Sequence, residues 1–400
     1  MKIGIDASQA NKQERTGTEW YAFSIIKEWA RTNAFGPHKV FLYTRNDLLN
    51  DFGPLPSMWN VKVLRWPPQV LWTHLRLSWE MFVHPVDALF IPSHIIPLIH
   101  AKRTFTTIHD IGFEHAEYVY GKHSVVHIQS SLVRRILSLL VRLFTFGAYG
   151  ANELDYQRFG VRFALRHATE LFTVSEFSKR EIEKKFHPRQ QLTVAYNGVD
   201  LTEYDFSKVR EHIGASKKKY ALSDYVLSIG RIEHKKNSLA LVQAFDAYIH
   251  QYPKESLKLV FAGGEGYGSL AVKDYIRTHD LNQQVLLLGW VPNNDLAPLL
   301  AGARCFVFLS EYEGFGVPII QSLSLGTPVL ANDLEVFREI AGDAITYCDV
   351  HNPTDITNKL AQLVKEKERV PRVDIVRKFQ WEKTAQIIST KMLFYLQNTR

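Results

Sequence analysis

The sequence predicts an α/β protein made of two doubly wound domains, each a parallel sheet with helices on both faces. Three observations predict it. Short apolar runs alternate with helix-length amphipathic stretches along both halves of the chain, the pattern of βαβ units. A break falls at Asn197-Gly198-Val199-Asp200, and the stretch 201–224 after it is polar and rich in lysine. The 400 residues, with 46% hydrophobic content, are enough for two cores of ordinary size.

In the first half the apolar runs predict strands at Ile3 to Ala7, Lys39 to Tyr43, Ala88 to Ile91, Arg103 to Ile108, Glu170 to Val174 and Leu192 to Tyr196, with a helix over Glu19 to Ala30. The second half predicts strands at Tyr225 to Gly230, Leu257 to Ala262, Val285 to Gly289, Cys305 to Leu309, Pro328 to Ala331 and Ala344 to Cys348. The expected domains are 1–200 and 201–380, with 381–400 as a closing helix. In sheets of this kind ligands sit beyond the carboxyl ends of the strands.

Composition narrows the partners. A net charge of +7 and a pI near 9.1 favour acidic ones: nucleotide diphosphates, anionic lipid or nucleic acid. No zinc-finger spacing and no interleaving of basic and aromatic residues points to nucleic acid, so none is expected. No run of about 18 apolar residues suggests a membrane span. Met1 leads straight into a strand without an apolar leader, and Cys305 and Cys348 form no framework, so a cytoplasmic setting is expected.

The most informative stretch runs from Leu309 to Gly342. An apolar strand ends in the polar turn Ser310 to Glu313; Gly314-Phe315-Gly316 follows, and Val317 and Pro318 open an amphipathic helix that stops at Gly326. The first N–H groups of a helix have no intrahelical partner and point at any anion above them. Glycines there let a diphosphate approach the backbone, and proline pre-sets φ for the first turn. Glu313 sits at the mouth of this turn.

This stretch resembles the loop and helix of the retaining glycosyltransferases of the two-domain GT-B fold, glycosyltransferase family 4. The family motif is a glutamate, seven residues, and a second glutamate; Glu313 takes the first place, and the second falls on Gln321. The resemblance implies two Rossmann-like domains facing a central cleft. It places Glu313 by the donor sugar and position 321 at the nucleotide ribose, with Gly314, Phe315, Gly316 and Val317 around the diphosphate. A carboxylate accepts from both ribose hydroxyls, whereas an amide offers one acceptor and a donor, so Gln321 implies an altered ribose contact. Further likenesses are Val174-Ser175-Glu176-Phe177-Ser178-Lys179, read locally as a helix cap, Asn197 to Asp200, and Phe379 to Ala385 before the last helix. The likeness runs from Lys2 to about Leu396 and is densest after Val174.

Sugar transfer from a nucleotide diphosphate leaves a departing group that gains negative charge. No Asp-x-Asp pair is present to hold a metal, whereas G-R-I-E-H-K-K-N supplies Arg231 and Lys236 after an apolar strand. These resemble the family's diphosphate-gripping cations; the plain alternative is a solvated basic turn. Thr106-Thr107-Ile108-His109-Asp110 ends another strand and is similar to the family's T-I-H-D. The likeness puts His109 beside the transferring sugar, with Asp110 orienting it or capping the next helix. Gly17, in a loop after the first strand, and Gly264, in Gly263-Gly264-Glu265-Gly266, are expected near the diphosphate and the nucleotide; the plain alternatives are a flexible loop at Gly17 and a tight turn at Gly264.

Two stretches stand apart from the donor chemistry. Trp66, Trp72 and Trp79 lie among Arg65 and Arg76 and read as core packing of a helix. No acidic residue occurs between Glu117 and Glu153, and within 130–146 arginines and leucines segregate to opposite faces. That fits a helix on an anionic bilayer and equally one packed on its own domain.

The sequence therefore implies a metal-independent, retaining hexosyltransferase. It would take a mannose- or glucose-type sugar from a nucleotide diphosphate to a glycan or lipid-linked acceptor, without a further cofactor. A nucleotide-sugar epimerase, a glycosyl phosphorylase or a degenerate binding module are the alternatives, the last because of Gln321.

Overall fold

The computed structural model describes residues 1–66, 71–115, 152–366 and 368–398. The helix expected over 130–146, with its membrane reading, lies outside the described residues. The chain divides into two compact units, Met1–Gly198 with Trp381–Arg400, and Val199–Gln380.

Among the described residues of the first unit, seven strands form one parallel sheet. They are β1 (Lys2–Asp6), β2 (Lys39–Thr44), β3 (Trp59–Val63), β4 (Ala88–Ile91), β5 (Arg103–Ile108), β6 (Glu170–Thr173) and β7 (Leu192–Val194), in the order β3-β2-β1-β4-β5-β6-β7. The order reverses between β1 and β4, the switch point of a doubly wound sheet. All four residues of β4 are buried, as expected of a strand covered on both faces.

β3 was not among the expected strands. It is an edge strand in which Asn60 and Val61 are exposed, so its sequence lacks the continuous apolar run that marks its neighbours.

The helix Gly17–Thr32 starts where Glu19 turns back to accept from the Thr16 N–H at 2.6 Å, and it buries Tyr21, Ile25, Ile26 and Trp29. The last helix, Trp381–Asn398, packs against it: the Trp29 indole N–H donates to the Ala385 carbonyl at 2.8 Å, and Ile388, Met392 and Leu396 are buried.

In the second unit β8 (Asp224–Ile229), β9 (Leu257–Ala262), β10 (Val285–Leu287), β11 (Cys305–Phe308), β12 (Val329–Asn332) and β13 (Thr346–Cys348) pair in parallel, in the order β10-β9-β8-β11-β12-β13. Its switch point lies between β8 and β11. Val226, Leu259, Cys305, Val307 and Leu330 line the core with Phe245 and Ile356 from covering helices. Cys305 and Cys348 are free thiols, and burial pushes both up to about 12.

The tryptophan reading is corrected in part. Trp72 is buried, its indole N–H donating to the Leu64 carbonyl at 2.8 Å, but Trp79 is 61% exposed because it lies on the outer side of its helix.

Candidate active site

β8 and β11 are neighbours in the middle of their sheet, so the loops that follow them emerge side by side at the switch point. Gly230 ends β8 with φ +127°, a conformation open to glycine, and Arg231 follows with its side chain 62% exposed and Nη2 3.4 Å from Glu233 Oε2. A short helical turn, His234–Lys236, closes on Asn237, whose left-handed φ of +51° suits asparagine. Two bonds then fasten this loop to the one after β11. The Asn237 side-chain amide donates to the Leu309 carbonyl at 2.9 Å, and the Glu311 N–H donates to the Lys235 carbonyl at 2.9 Å.

The result is a contact that no local pattern shows. The Lys236 ammonium pairs with the Glu313 carboxylate and stands 4.7 Å above the Phe308 ring. Burial would raise the Glu313 carboxyl, but the charges of Lys236 and Lys235, with hydrogen bonding from Lys236 and Ser310, bring it net below its ordinary value. Glu313 is thus ionised at neutral pH and is held by the Lys236 ammonium.

The helix Val317–Ser324 begins beside this pair. Gly316 has φ +113°, and a Cβ there would come within 3.0 Å of the Phe337 ring, so this position requires glycine. Pro318 lies in the first turn, and no side chain caps the N-terminus. Pro318 has no N–H and the Ile319 N–H donates to the Gly316 carbonyl at 2.9 Å, so the Val317 N–H is the one in this turn open to an anion. Val317 and Gln321 are one turn apart on the helix and both partly exposed. Phe315 differs: its ring is buried edge-on against Phe379, with centroids 5.4 Å apart, so only its backbone is left for a ligand.

The Gly263-Gly264 turn follows β9. Gly263, absent from the expected site, is the constrained member: its N–H donates to the Gly289 carbonyl at 2.8 Å, and a Cβ on it would sit 2.0 Å from the Gly230 carbonyl oxygen. Gly264 has open space where a Cβ would go. The doubled glycine was the available signal, and the strand neighbour that makes one of the two indispensable was not visible in it.

His109 and Gly17 belong to the first unit. His109 follows β5; its Nε2 lies 2.8 Å from the Pro92 carbonyl oxygen, which can only accept, so the proton is on Nε2 and Nδ1 carries the lone pair. Its ring stands edge-on to Tyr21 at 4.5 Å. Burial lowers its pKa against the raising effects of the Pro92 bond and Asp110, which leaves a neutral imidazole at pH 7. Asp110 caps the short helix Gly112–His115, accepting from the Gly112 N–H at 2.7 Å.

Ser175 caps the helix Glu176–Phe186, and Ser178 in its first turn donates to the His109 carbonyl at 3.2 Å. The Val174 to Lys179 stretch thus steadies the His109 backbone, a role its sequence did not announce. Gly17 opens its helix with open space at the Cβ position, so nothing steric demands glycine there.

Among the described residues no group of three or more His, Cys, Asp or Glu side chains is gathered as a metal site.

Comparison with known proteins falls on this site. Residues 209–375 match the family described as Glycosyl transferases group 1. The O-antigen chain mannosyltransferase B of Escherichia coli is 26% identical over 305 residues, covering 74% of this chain and 78% of that protein. The crystal structure of Anabaena HepE in complex with UDP and glucose superposes with a TM-score of 0.68 at 15% identity, covering 98% of this chain and 99% of that one. The chain is a glycosyltransferase of the GT-B fold, related to the group 1 family.

Within this glycosyltransferase the family match spans both loops at the second switch point and the helix after Gly316. The serotype-specific mannosyltransferase WbdA of Escherichia coli is 24% identical over 235 residues, 56% of this glycosyltransferase but 29% of WbdA's own length.

Proposed function

We propose that the protein is a retaining hexosyltransferase that moves a mannose- or glucose-type sugar from a nucleotide diphosphate to a glycan or lipid-linked acceptor in the cytoplasm, with fixed cations in the place of a metal. The observation that carries this reading is the Lys236–Glu313 pair beside the uncapped helix N-terminus after Gly316. The mannosyltransferase relatives support a hexose donor.

On this reading the second unit, from about 201 to 380, binds the donor, and the first unit, 1–200 with 381–400, serves the acceptor. Arg231, Lys236 and the Val317 N–H hold the diphosphate and stabilise the charge it gains. Gly264 and Val317 line the nucleotide, Gln321 meets the ribose, and Glu313 faces the sugar. In the first unit His109 offers Nδ1 as an acceptor for a sugar hydroxyl.

Glu233, the carboxylate beside Arg231, is engaged by Arg231 at 3.4 Å and by Lys235 at 3.9 Å, so this reading routes no covalent relay through it. The acceptor oxygen therefore attacks the anomeric carbon on the face the diphosphate leaves: the bond from that carbon to the phosphate oxygen breaks, the new glycosidic bond forms, and the acceptor's proton passes to the departing phosphate oxygen.

Arg231→Ala tests the reading without disturbing the fold, because the side chain is largely in solvent. Transfer should fall about 10²- to 10³-fold, the loss of one preorganised donor to developing charge. An unchanged rate, measured with a nucleotide sugar that raises the melting temperature of the wild type, would defeat it.

A further inference from the structure

The last glycine of the turn after β9 makes room for a carboxylate. A Cβ on Gly266 would lie 2.9 Å from Glu233 Cβ and 3.0 Å from Glu233 Oε2. Its φ is outside the left-handed region, so the space that Glu233 fills, with the Ile232 carbonyl behind it, is what calls for glycine. The Glu233 backbone is fixed on both sides. The Ile232 N–H donates to the Gly264 carbonyl at 2.9 Å, the Gly266 N–H donates back to the Ile232 carbonyl at 3.0 Å, and the His234 N–H donates to the Tyr267 carbonyl at 2.8 Å. The Glu233 N–H itself donates to Ser238 Oγ at 3.3 Å. The buried carboxylate is thereby set at one place beside the cations of its loop, with Oε2 turned to Arg231 and Oε1 to Lys235.

A carboxylate with so little exposure is costly to keep unless its partners hold it closely. Neither contact is as short as the roughly 2.7–2.9 Å of a charge-assisted hydrogen bond, so the fold gains little from them. What the acid does is limit where a long side chain can swing. Arg231 is 62% exposed, and a guanidinium on so open a stem would otherwise spread over many rotamers. Lys236, the other cation of the site, already has Glu313.

We propose that Glu233 is a positioning residue for sugar transfer: it holds the Arg231 guanidinium ready for the charge that the departing diphosphate gains, and Gly266 is the glycine that lets it stand there. The inference rests on the reading of Arg231 as a diphosphate cation. Glu233 acts through the arginine and not on the substrate, since a guanidinium engaged at one nitrogen keeps other N–H groups for a phosphate. A donor held in place stabilises developing charge better than a mobile one, so the effect falls on turnover. The acid also offsets positive charge in the site, so its removal leaves the cations freer to attract a bound nucleotide.

The test is Glu233→Gln, which removes the charge and keeps the shape. Nucleotide release from GDP-mannose and from UDP-glucose reads turnover, and titration with GDP and UDP reads affinity. The expected result is a kcat about tenfold lower, short of the about 10²- to 10³-fold loss of the arginine itself, with nucleotide affinity unchanged or tighter. In the Arg231→Ala background the same substitution should change nothing further, because its effect passes through the arginine. Gly266→Ala keeps every charge and pushes the carboxylate aside, so it gives a second variant with the same expected loss of kcat. A wild-type kcat in either variant overturns the inference. So do losses that multiply with Arg231→Ala, or a nucleotide affinity that falls in step with kcat, the mark of a site merely deformed. Failure of the donor reading looks different: Arg231→Ala alone would then release nucleotide at the wild-type rate.

Discussion

Lys236 carries more of the site than any other residue. In the free protein it holds Glu313 ionised in a part-buried setting, with both side chains 18% exposed, and a diphosphate would add a second anion to the same ammonium. Lys236→Met should therefore act twice. Transfer falls about 10²- to 10³-fold through loss of a preorganised cation, and stability falls about 1–3 kcal/mol because the carboxylate loses its nearest partner. Urea unfolding alongside kcat/KM reads both, and a variant of wild-type stability would mean that the pair contributes nothing to the fold. The converse change tests the ribose reading: Gln321→Glu should tighten nucleotide binding by restoring a second acceptor atom, and unchanged affinity would remove residue 321 from the ribose. Arg231, Lys236 and Glu313 were each legible as candidates through their likeness to the family's loops after two apolar strands. Their pairing was not, because 77 residues separate Lys236 from Glu313 and only the adjacency of β8 and β11 joins them.

The glycine turn after β9 shows how elements constrain sequence. β8 and β9 run parallel, and the Gly230 carbonyl at the end of one points at the Cα of Gly263 at the end of the other. Gly263 also has φ +157°, which a side chain rarely adopts. Gly263→Ala should thus cost more than about 3 kcal/mol, since the added carbon meets backbone that cannot swing aside. Gly264→Ala, one residue on, should stay within about 1 kcal/mol of wild type, with any effect confined to nucleotide affinity. Melting curves of the two variants decide the matter, and equal losses would show that the close approach does not govern this turn. Buried strands such as β4 and β11 were legible as unbroken apolar runs, whereas β3 escaped notice because an edge strand alternates and keeps polar residues on its open side. Trp79 was misread for a related reason: its helix buries a stripe that includes polar His74 and Glu80, so apolar periodicity pointed to the wrong face.

At the scale of the molecule, acid should unfold the protein sooner than its many surface ion pairs would suggest. His74 and His94 are pushed down to about 4 by burial, and His109 is also lowered, so the folded state keeps all three neutral. Unfolded, each takes a proton near its ordinary value of about 6.5. Between those values the unfolded chain binds more protons, so stability is undiminished above pH 6.5 and declines as pH falls toward about 4. His74 is the cleanest probe. It is 5% exposed, its Nδ1 lies 3.2 Å from the Tyr156 hydroxyl, and its Nε2 is buried without a hydrogen bond. His74→Gln keeps an acceptor for Tyr156 and cannot titrate. Between pH 6.5 and 5 the variant should lose about 1.5 kcal/mol less stability than the wild type, since the unfolded histidine goes from half to nearly full protonation over that interval. Urea midpoints measured across the range would show the two curves converging as the solution is acidified. Parallel curves would mean that His74 is not the group whose burial opposes protonation, and the acid sensitivity would then have to come from His94 and His109, whose own substitutions read out separately.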